Sequence, residues 1–212
     1  MTSPKIKICG ITRAEETMFL NEASVDYAGF VFYEKSRRNI SFERAGMIKR
    51  ELAPSIKCVA VTVSPDAKMI AAIEDTGFDI IQIHGTLSDE AVAAASLPLW
   101  AAVNEKTTAG AAKRICEIET ALSDKAGKIE AYVFDAPSFG SGKRSDWEGG
   151  RRPDTKRMFV LAGGLDPENV GEGIRIFDPD VVDVSSSVEG ENGKDRDRIQ
   201  RFVKAVRRGG TL

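Results

Sequence analysis

Apolar, β-rich runs recur along the chain and alternate with stretches whose apolar residues return every three or four positions. The runs are KIKIC (5–9), YAGFVF (27–32), KCVAVTV (57–63), DIIQIH (79–84), LWAAV (99–103), AYVFD (131–135), MFVLA (158–162) and VVDVS (181–185). Several are apolar at nearly every position, as expected of strands buried on both faces of a parallel sheet. Between them, Ser41 precedes Ala45, Ile48 and Leu52 on one helical face, and Ile199, Phe202, Val203 and Val206 carry the spacing of an amphipathic helix. Thr12 with Glu15 predicts a capping box. Ser64-Pro65 predicts an N-cap with proline at the first helical position, and Asp166-Pro167-Glu168 predicts the same before Val170. The sixth unit is the least regular: Asp135 leads into a polar, glycine-containing stretch reaching about Arg157, with a short helix predicted near Trp147.

Eight strand–helix units in 212 residues predict an α/β fold of the (β/α)8 TIM barrel type, with a doubly wound open sheet as the alternative. No Gly/Ser- or Pro-rich linker divides the chain, so residues 1–212 read as one barrel domain. In such a barrel the residues at the C-terminal ends of the strands form the active face.

Composition narrows the function. A formal net charge of −2 gives no global basic field, and the paired arginines at 37–38, 151–152 and 207–208 are short runs, so no nucleic-acid partner is expected. The N-terminus lacks a signal-peptide apolar region and no apolar run is long enough for a membrane span. Three scattered cysteines and one histidine form neither a disulfide framework nor a metal site. The expectation is a reduced, cytoplasmic protein with no metal.

Polar and reactive groups gather at the strand ends. Strand one ends in Cys9, strand four in His84, strand six in Asp135, and strand eight carries Asp183. Gly163-Gly164 would let backbone amides approach a ligand, and Ser185-Ser186-Ser187 offers hydroxyls in the neighbouring unit. Loops after strands seven and eight are a recurrent phosphate site in barrels. GSGK (140–143) is not a P-loop, because Pro137 and Arg144 stand where glycine and Ser/Thr are required; it reads as a loop able to close over substrate, with Gly142 a candidate contact. Cys58 and Cys116 read as small core residues. Position alone leaves Cys9 open between a buried structural residue and a reactive thiol, whose ionisation nearby amides at a helix start would favour.

KICGIT, GFVFYEKSRRNIS, IQIHG, VFDAPSFGSGKRSDW, LAGGLDPENV and VDVSSSVEGENGKD occur in order over residues 5–206 and together resemble the phosphoribosylanthranilate isomerases of tryptophan biosynthesis. The resemblance implies a (β/α)8 barrel that isomerises N-(5′-phosphoribosyl)anthranilate to 1-(2-carboxyphenylamino)-1-deoxyribulose 5-phosphate, an Amadori rearrangement without a cofactor. It implies Cys9 as general base, Asp135 as general acid and Arg38 as the group holding the anthranilate carboxylate, with Arg37 able to share that task. Gly163, Gly164, Ser185 and Ser186 match the phosphate site, and His84, Gly142 and Asp183 complete the candidate substrate contacts. The partner expected is a phosphorylated small molecule, bound by a monomer or homodimer.

Ring opening requires a protonated carboxyl to deliver a proton to the furanose oxygen. The resulting iminium acidifies the C2′ proton, which a thiolate can remove. Three departures from the family pattern stand out: Ser187 where glycine is usual, Ser145 where phenylalanine is common before Asp146-Trp147, and Thr62 in place of a bulky residue. They are expected to alter substrate-loop packing and turnover rate and not the reaction. The histidine-pathway isomerase, which performs an analogous step, would be expected to carry paired aspartates and two-fold internal repetition; strand one here ends in Cys9 and the halves do not repeat.

Overall fold

The computed structural model describes residues 3–105, 107–135 and 150–209. Eight parallel strands run around a closed barrel in chain order, the last pairing with the first. They are β1 (Lys5–Cys9), β2 (Tyr27–Phe32), β3 (Lys57–Val63), β4 (Ile80–His84), β5 (Leu99–Asn104), β6 (Ile129–Asp135), β7 (Met158–Leu161) and β8 (Val181–Val184). Each coincides with one apolar run of the sequence, so the closed barrel holds over the open sheet. Around it among the described residues lie α1 (Glu15–Ala23), α2 (Phe42–Lys49), α3 (Ala67–Asp75), α4 (Asp89–Ala94), α5 (Thr108–Leu122), α6 (Val170–Phe177) and α7 (Arg196–Gly209). The helix expected near Trp147 falls outside the described residues.

The near-continuous apolarity of the strands has a simple cause. Successive side chains point to opposite faces, and here both faces are dry. Val59 and Val61 join Tyr27, Trp100, Val133, Val160 and Val181 in the barrel interior, while Cys58 and Ala60 pack with the helices. Thr62 has the outward parity and is buried on the helical side, so this substitution lies away from the strand-end cavity.

A repeated device sets the register at the bottom of the barrel. Asp26, Asp79 and Asp180 each stand one residue before a strand. Each carboxylate accepts from an amide near the start of the preceding strand, Ile6 at 2.8 Å, Cys58 at 2.7 Å and Phe159 at 2.7 Å. A one-residue slip would turn inward side chains outward, and these bonds oppose it.

The helix starts differ from their sequence signals in detail. Ser41, which precedes the apolar face of α2, caps that helix by accepting from the Arg44 amide. Glu16, not Glu15, reaches back to the amides of Thr12 and Arg13, because Glu16 is buried and Glu15 points to solvent. Asp66, not Ser64, caps α3; Ser64 instead adopts φ 47° and its hydroxyl accepts from the Thr86 amide. Asp166 accepts from the amides of Glu168 and Asn169 in a turn that precedes α6. Cys116 is exposed, a correction to its reading as core: the buried face of α5 is Ala111, Ile115, Ile118 and Leu122, and Cys116 lies off it.

After β8 the chain makes a 3-10 turn, Ser186–Val188, and a small antiparallel hairpin of β9 (Glu189–Gly190) and β10 (Gly193–Lys194). Nothing in the sequence pattern announced this hairpin. The amide of Lys194 donates to the buried Glu16 carboxylate at 2.7 Å, which ties the hairpin to the start of α1.

Candidate active site

The C-terminal strand ends enclose a cavity of about 510 Å³. Every candidate residue from the sequence lines it, except Gly142, which lies outside the described residues. Cys9 and Asp135 come from β1 and β6, so two groups of different chemistry face one space from different strands.

Cys9 sits at the end of β1 against Gly29 of β2, its register partner. A Cβ on Gly29 would stand 2.9 Å from the sulfur, so the glycine in YAGFVF makes room for the thiol. Two residues back on the same face, Lys7 is fully buried in the barrel and its ammonium bonds Asp183 Oδ2 at 2.5 Å. Burial pushes the Cys9 thiol up; Lys7 and Lys194 oppose the shift and Asp183 adds to it. The expectation that nearby amides lower this pKa is therefore corrected: loss of water dominates. Burial also works against the Lys7 ammonium, yet Asp183 and Cys9 together hold it above its ordinary value. Burial raises Asp183, against the pull of Lys7 and Lys194.

Arg38 is one arm of a second charged group. Its Nε donates to Glu189 Oε1 at 2.6 Å and its Nη2 to Oε2 at 3.1 Å, a bidentate fork. Glu189 also receives Lys194 at 2.9 Å and a contact from Arg37. The side chain of Arg38 is 10% exposed and that of Arg37 is 72% exposed, so the two neighbours differ sharply in setting. Burial disfavours the charged Glu189, but Arg38 and Lys194 outweigh it and hold the carboxyl below its ordinary range. Gly10 has φ 85°, and a Cβ there would collide with Arg38 Cδ. The glycine after Cys9 clears a path for this arginine and not, as its place beside the thiol suggests, for the substrate.

The seventh and eighth loops meet at the cavity. Gly163 and Gly164 have φ 78° and 71°, conformations that side chains disfavour, and among the described residues their amides have no hydrogen-bond acceptor. The Asn169 side chain holds the Gly164 carbonyl at 2.9 Å. Ser185 donates to the Cys9 carbonyl at 2.9 Å, and Ser187 donates to the Leu165 carbonyl at 2.6 Å. Free amides beside hydroxyls form an anion cradle of the kind used for phosphate.

On β4, Gln82 Nε2 and His84 Nε2 lie 2.9 Å apart. Burial, reinforced by the positive charge of Lys7 and opposed by a hydrogen bond with Asn104, lowers the His84 pKa to about 4. The imidazole is neutral at physiological pH, suited to hydrogen bonding and not to carrying charge. Gln82 Oε1 and Asp183 Oδ1 are buried polar atoms at the cavity wall without a partner among the described residues. Such atoms carry a desolvation cost that a ligand hydroxyl or N–H can offset.

Sequence reasoning missed Lys7, Gln82, Glu189 and Lys194. Lys7 had one usable signal, since strand alternation puts it on the face of Cys9. Glu189 and Lys194 lie within VEGENGK, a run that reads as an ordinary polar loop.

A family model described as N-(5′-phosphoribosyl)anthranilate (PRA) isomerase matches residues 6–205. An N-(5′-phosphoribosyl)anthranilate isomerase of Geobacter sp. (strain M21) is 39% identical, covering 96% of this chain and 98% of that protein. The crystal structure of phosphoribosyl anthranilate isomerase from Thermotoga maritima superposes with a TM-score of 0.80 at 30% identity, over 96% of this chain and 98% of that one. A phosphoribosyl anthranilate isomerase solved in complex with reduced 1-(o-carboxyphenylamino)-1-deoxyribulose 5-phosphate superposes with a TM-score of 0.77 at 30% identity, with the same coverage.

Proposed function

The chain belongs to the N-(5′-phosphoribosyl)anthranilate isomerase family, and from that premise we propose how its residues divide the work. The enzyme isomerises N-(5′-phosphoribosyl)anthranilate to 1-(2-carboxyphenylamino)-1-deoxyribulose 5-phosphate in tryptophan biosynthesis. Asp135, as the acid, protonates the furanose oxygen and the ring opens to an iminium. Cys9, as the base, removes the C2′ proton, giving an enolamine. Proton return to C1′ and loss of the enol proton complete the ketone, with no net change in redox state or composition.

The observation that carries this division is that Cys9 and Asp135, from different strands, line the same cavity as Arg38 and the two loops. Arg38 offers its remaining donors to the anthranilate carboxylate, the better-placed of the two arginines because it is the buried one. Gly163, Gly164, Ser185 and Ser186 bind the phosphate. Neutral His84 and the unpartnered oxygen of Asp183 take the ribose hydroxyls, and Gly142 contributes from the sixth loop. All described site groups come from one chain, so a monomer or a homodimer would each be competent, and residues 1–212 act as one barrel domain. The three free cysteines suit a reducing cytoplasm; no described helix is long and apolar enough to cross a membrane.

The test is a fluorescence assay following loss of phosphoribosylanthranilate by purified protein. Turnover should be clear for the native chain and lost in Cys9→Ser and Asp135→Asn. A native rate no higher than those of the two variants would remove the assignment of both residues.

A further inference from the structure

Lys7 is a charged group at the centre of the barrel for which the reaction described above has no task. Its side chain is wholly shielded from solvent, and it faces Asp183 in register across the seam where β1 meets β8. Burying an ion pair costs several kcal/mol per ion before attraction is counted, and an apolar pair would often close such a seam as well or better. A purely structural explanation of the pair is therefore weak. Its position supplies a better one: Lys7 shares the inward face of β1 with Cys9, and its ammonium acts on the sulfur as well as on the carboxylate.

The surrounding charges give the pair a direction. The charges that act on the Cys9 sulfur are Lys7 from its own strand, Asp183 from β8 and Lys194 from β10. Lys194 is bonded to Glu189 and Ser185, and Glu189 holds Arg38 from the loop after β2. His84 on β4 is neutral, β2 places Gly29 against the sulfur and the apolar Val31 at the cavity wall, and Asp135 of β6 lines the same cavity. The shielded groups thus include three cations (Lys7, Lys194 and Arg38) and two carboxylates (Asp183 and Glu189). A thiolate on Cys9 would supply the third negative charge that completes this balance.

We propose that Lys7 is a positioning residue that supplies the counter-charge for the Cys9 thiolate, with Asp183 balancing the ammonium whenever the thiol is protonated. Asp183 is then a brake as well as a partner, since it competes with the sulfur for the same ammonium. This inference rests on the reading of Cys9 as the base, but the pairing itself is measurable without substrate.

The experiment is the pH dependence of Cys9 alkylation by iodoacetamide in a Cys116→Ser background. Cys58 does not interfere, being buried with its thiol pushed up to about 11. Lys7→Met should slow alkylation at pH 8 by about tenfold, which is one unit of thiol pKa. Asp183→Asn should change it in the opposite direction, by releasing the ammonium to the sulfur. Lys7→Arg should stay within about threefold of the parent, since the charge is kept. If Lys7→Met fails to fold because it strands a carboxylate, Lys7→Met/Asp183→Asn removes both charges and should still alkylate more slowly than Asp183→Asn. A folded Lys7→Met or double variant that fails to slow in its respective comparison overturns the proposal, because a merely structural pair would change stability alone. The acid limb of kcat/KM should move with the thiol; a limb that stays while the thiol moves removes Cys9 as the base and leaves the pairing standing.

Discussion

The Ser187 hydroxyl donates to the Leu165 carbonyl at 2.6 Å, so a side chain of the eighth loop fastens the backbone of the seventh. The glycine usual at this position in the family has no such donor. The bond links the two segments that bear the phosphate-binding candidates Gly163, Gly164, Ser185 and Ser186. A neutral hydrogen bond of this kind contributes about 1 kcal/mol, or roughly fivefold in an equilibrium constant. Ser187→Gly should therefore raise KM and the inhibition constant of inorganic phosphate together by about that factor, with kcat little changed. An unaltered phosphate inhibition constant would show that the two loops hold their geometry without the link.

Gly10 and Gly46 make a paired prediction about backbone and space. At Gly10 a methyl group meets both a disfavoured φ of 85° and the Arg38 side chain. Gly10→Ala should cost about 1–3 kcal/mol of stability and raise KM through the displaced arginine. Gly46, inside α2, has ordinary helical surroundings, and its Cβ would lie 3.6 Å from the nearest atom, on Thr76. Gly46→Ala should stabilise by about 0.5–1 kcal/mol without touching the kinetics. Urea unfolding and steady-state kinetics on the two variants check both halves.

The barrel was legible because strands buried on both faces leave long apolar runs, and because a barrel assigns chemistry to strand ends before any function is known. What escaped had physical reasons. Glu15 and Glu16 are indistinguishable as capping residues until burial separates them. A lysine in a strand reads as solvated, so Lys7 was visible only through its parity with Cys9. The β9–β10 hairpin has two-residue strands, too short for a period, yet it delivers Glu189 and Lys194 to the site. Cys116 was misread although Ile115 and Ile118 already marked the buried phase of α5. Thr62 was expected to alter loop packing, but it shares the outward parity of Cys58 and Ala60 and is buried against the helices.

Glu189 should govern substrate affinity without touching substrate. It grips Arg38 by two donors and is itself held by Lys194, so it orients the guanidinium from behind. Glu189→Gln keeps the shape but loses the charge-assisted fork. KM should rise by about tenfold, corresponding to roughly 1.4 kcal/mol, with a smaller effect on kcat. Arg38→Ala should raise KM further, and the double variant should match Arg38→Ala alone, since both changes act through one arm. Additive effects in that double-mutant cycle would mean that Glu189 acts through some other group, with Arg37 the first to test.

The pH dependence of stability should carry the signature of the single histidine. Burial lowers the pKa of His84 to about 4 in the folded chain, against an ordinary value of 6.5. Between these values the unfolded chain takes up a proton that the native site refuses. The histidine's contribution is therefore whole above pH 6.5, falls as the pH drops through that value, and is fully lost near pH 4. The complete window is worth roughly 3 kcal/mol, and the part down to about pH 5 roughly 2 kcal/mol. Carboxyls held low, such as Glu189 and Glu74, lose their contributions at more acid pH, below the ordinary carboxylate range. Urea unfolding of the native chain at about pH 7.5 and about pH 5 should show that loss, and His84→Gln should remove it while leaving the contributions of the other groups in place. Equal slopes for the two proteins would mean that the buried imidazole accepts a proton in the folded state, and the neutral hydrogen-bonding role of His84 would have to be abandoned.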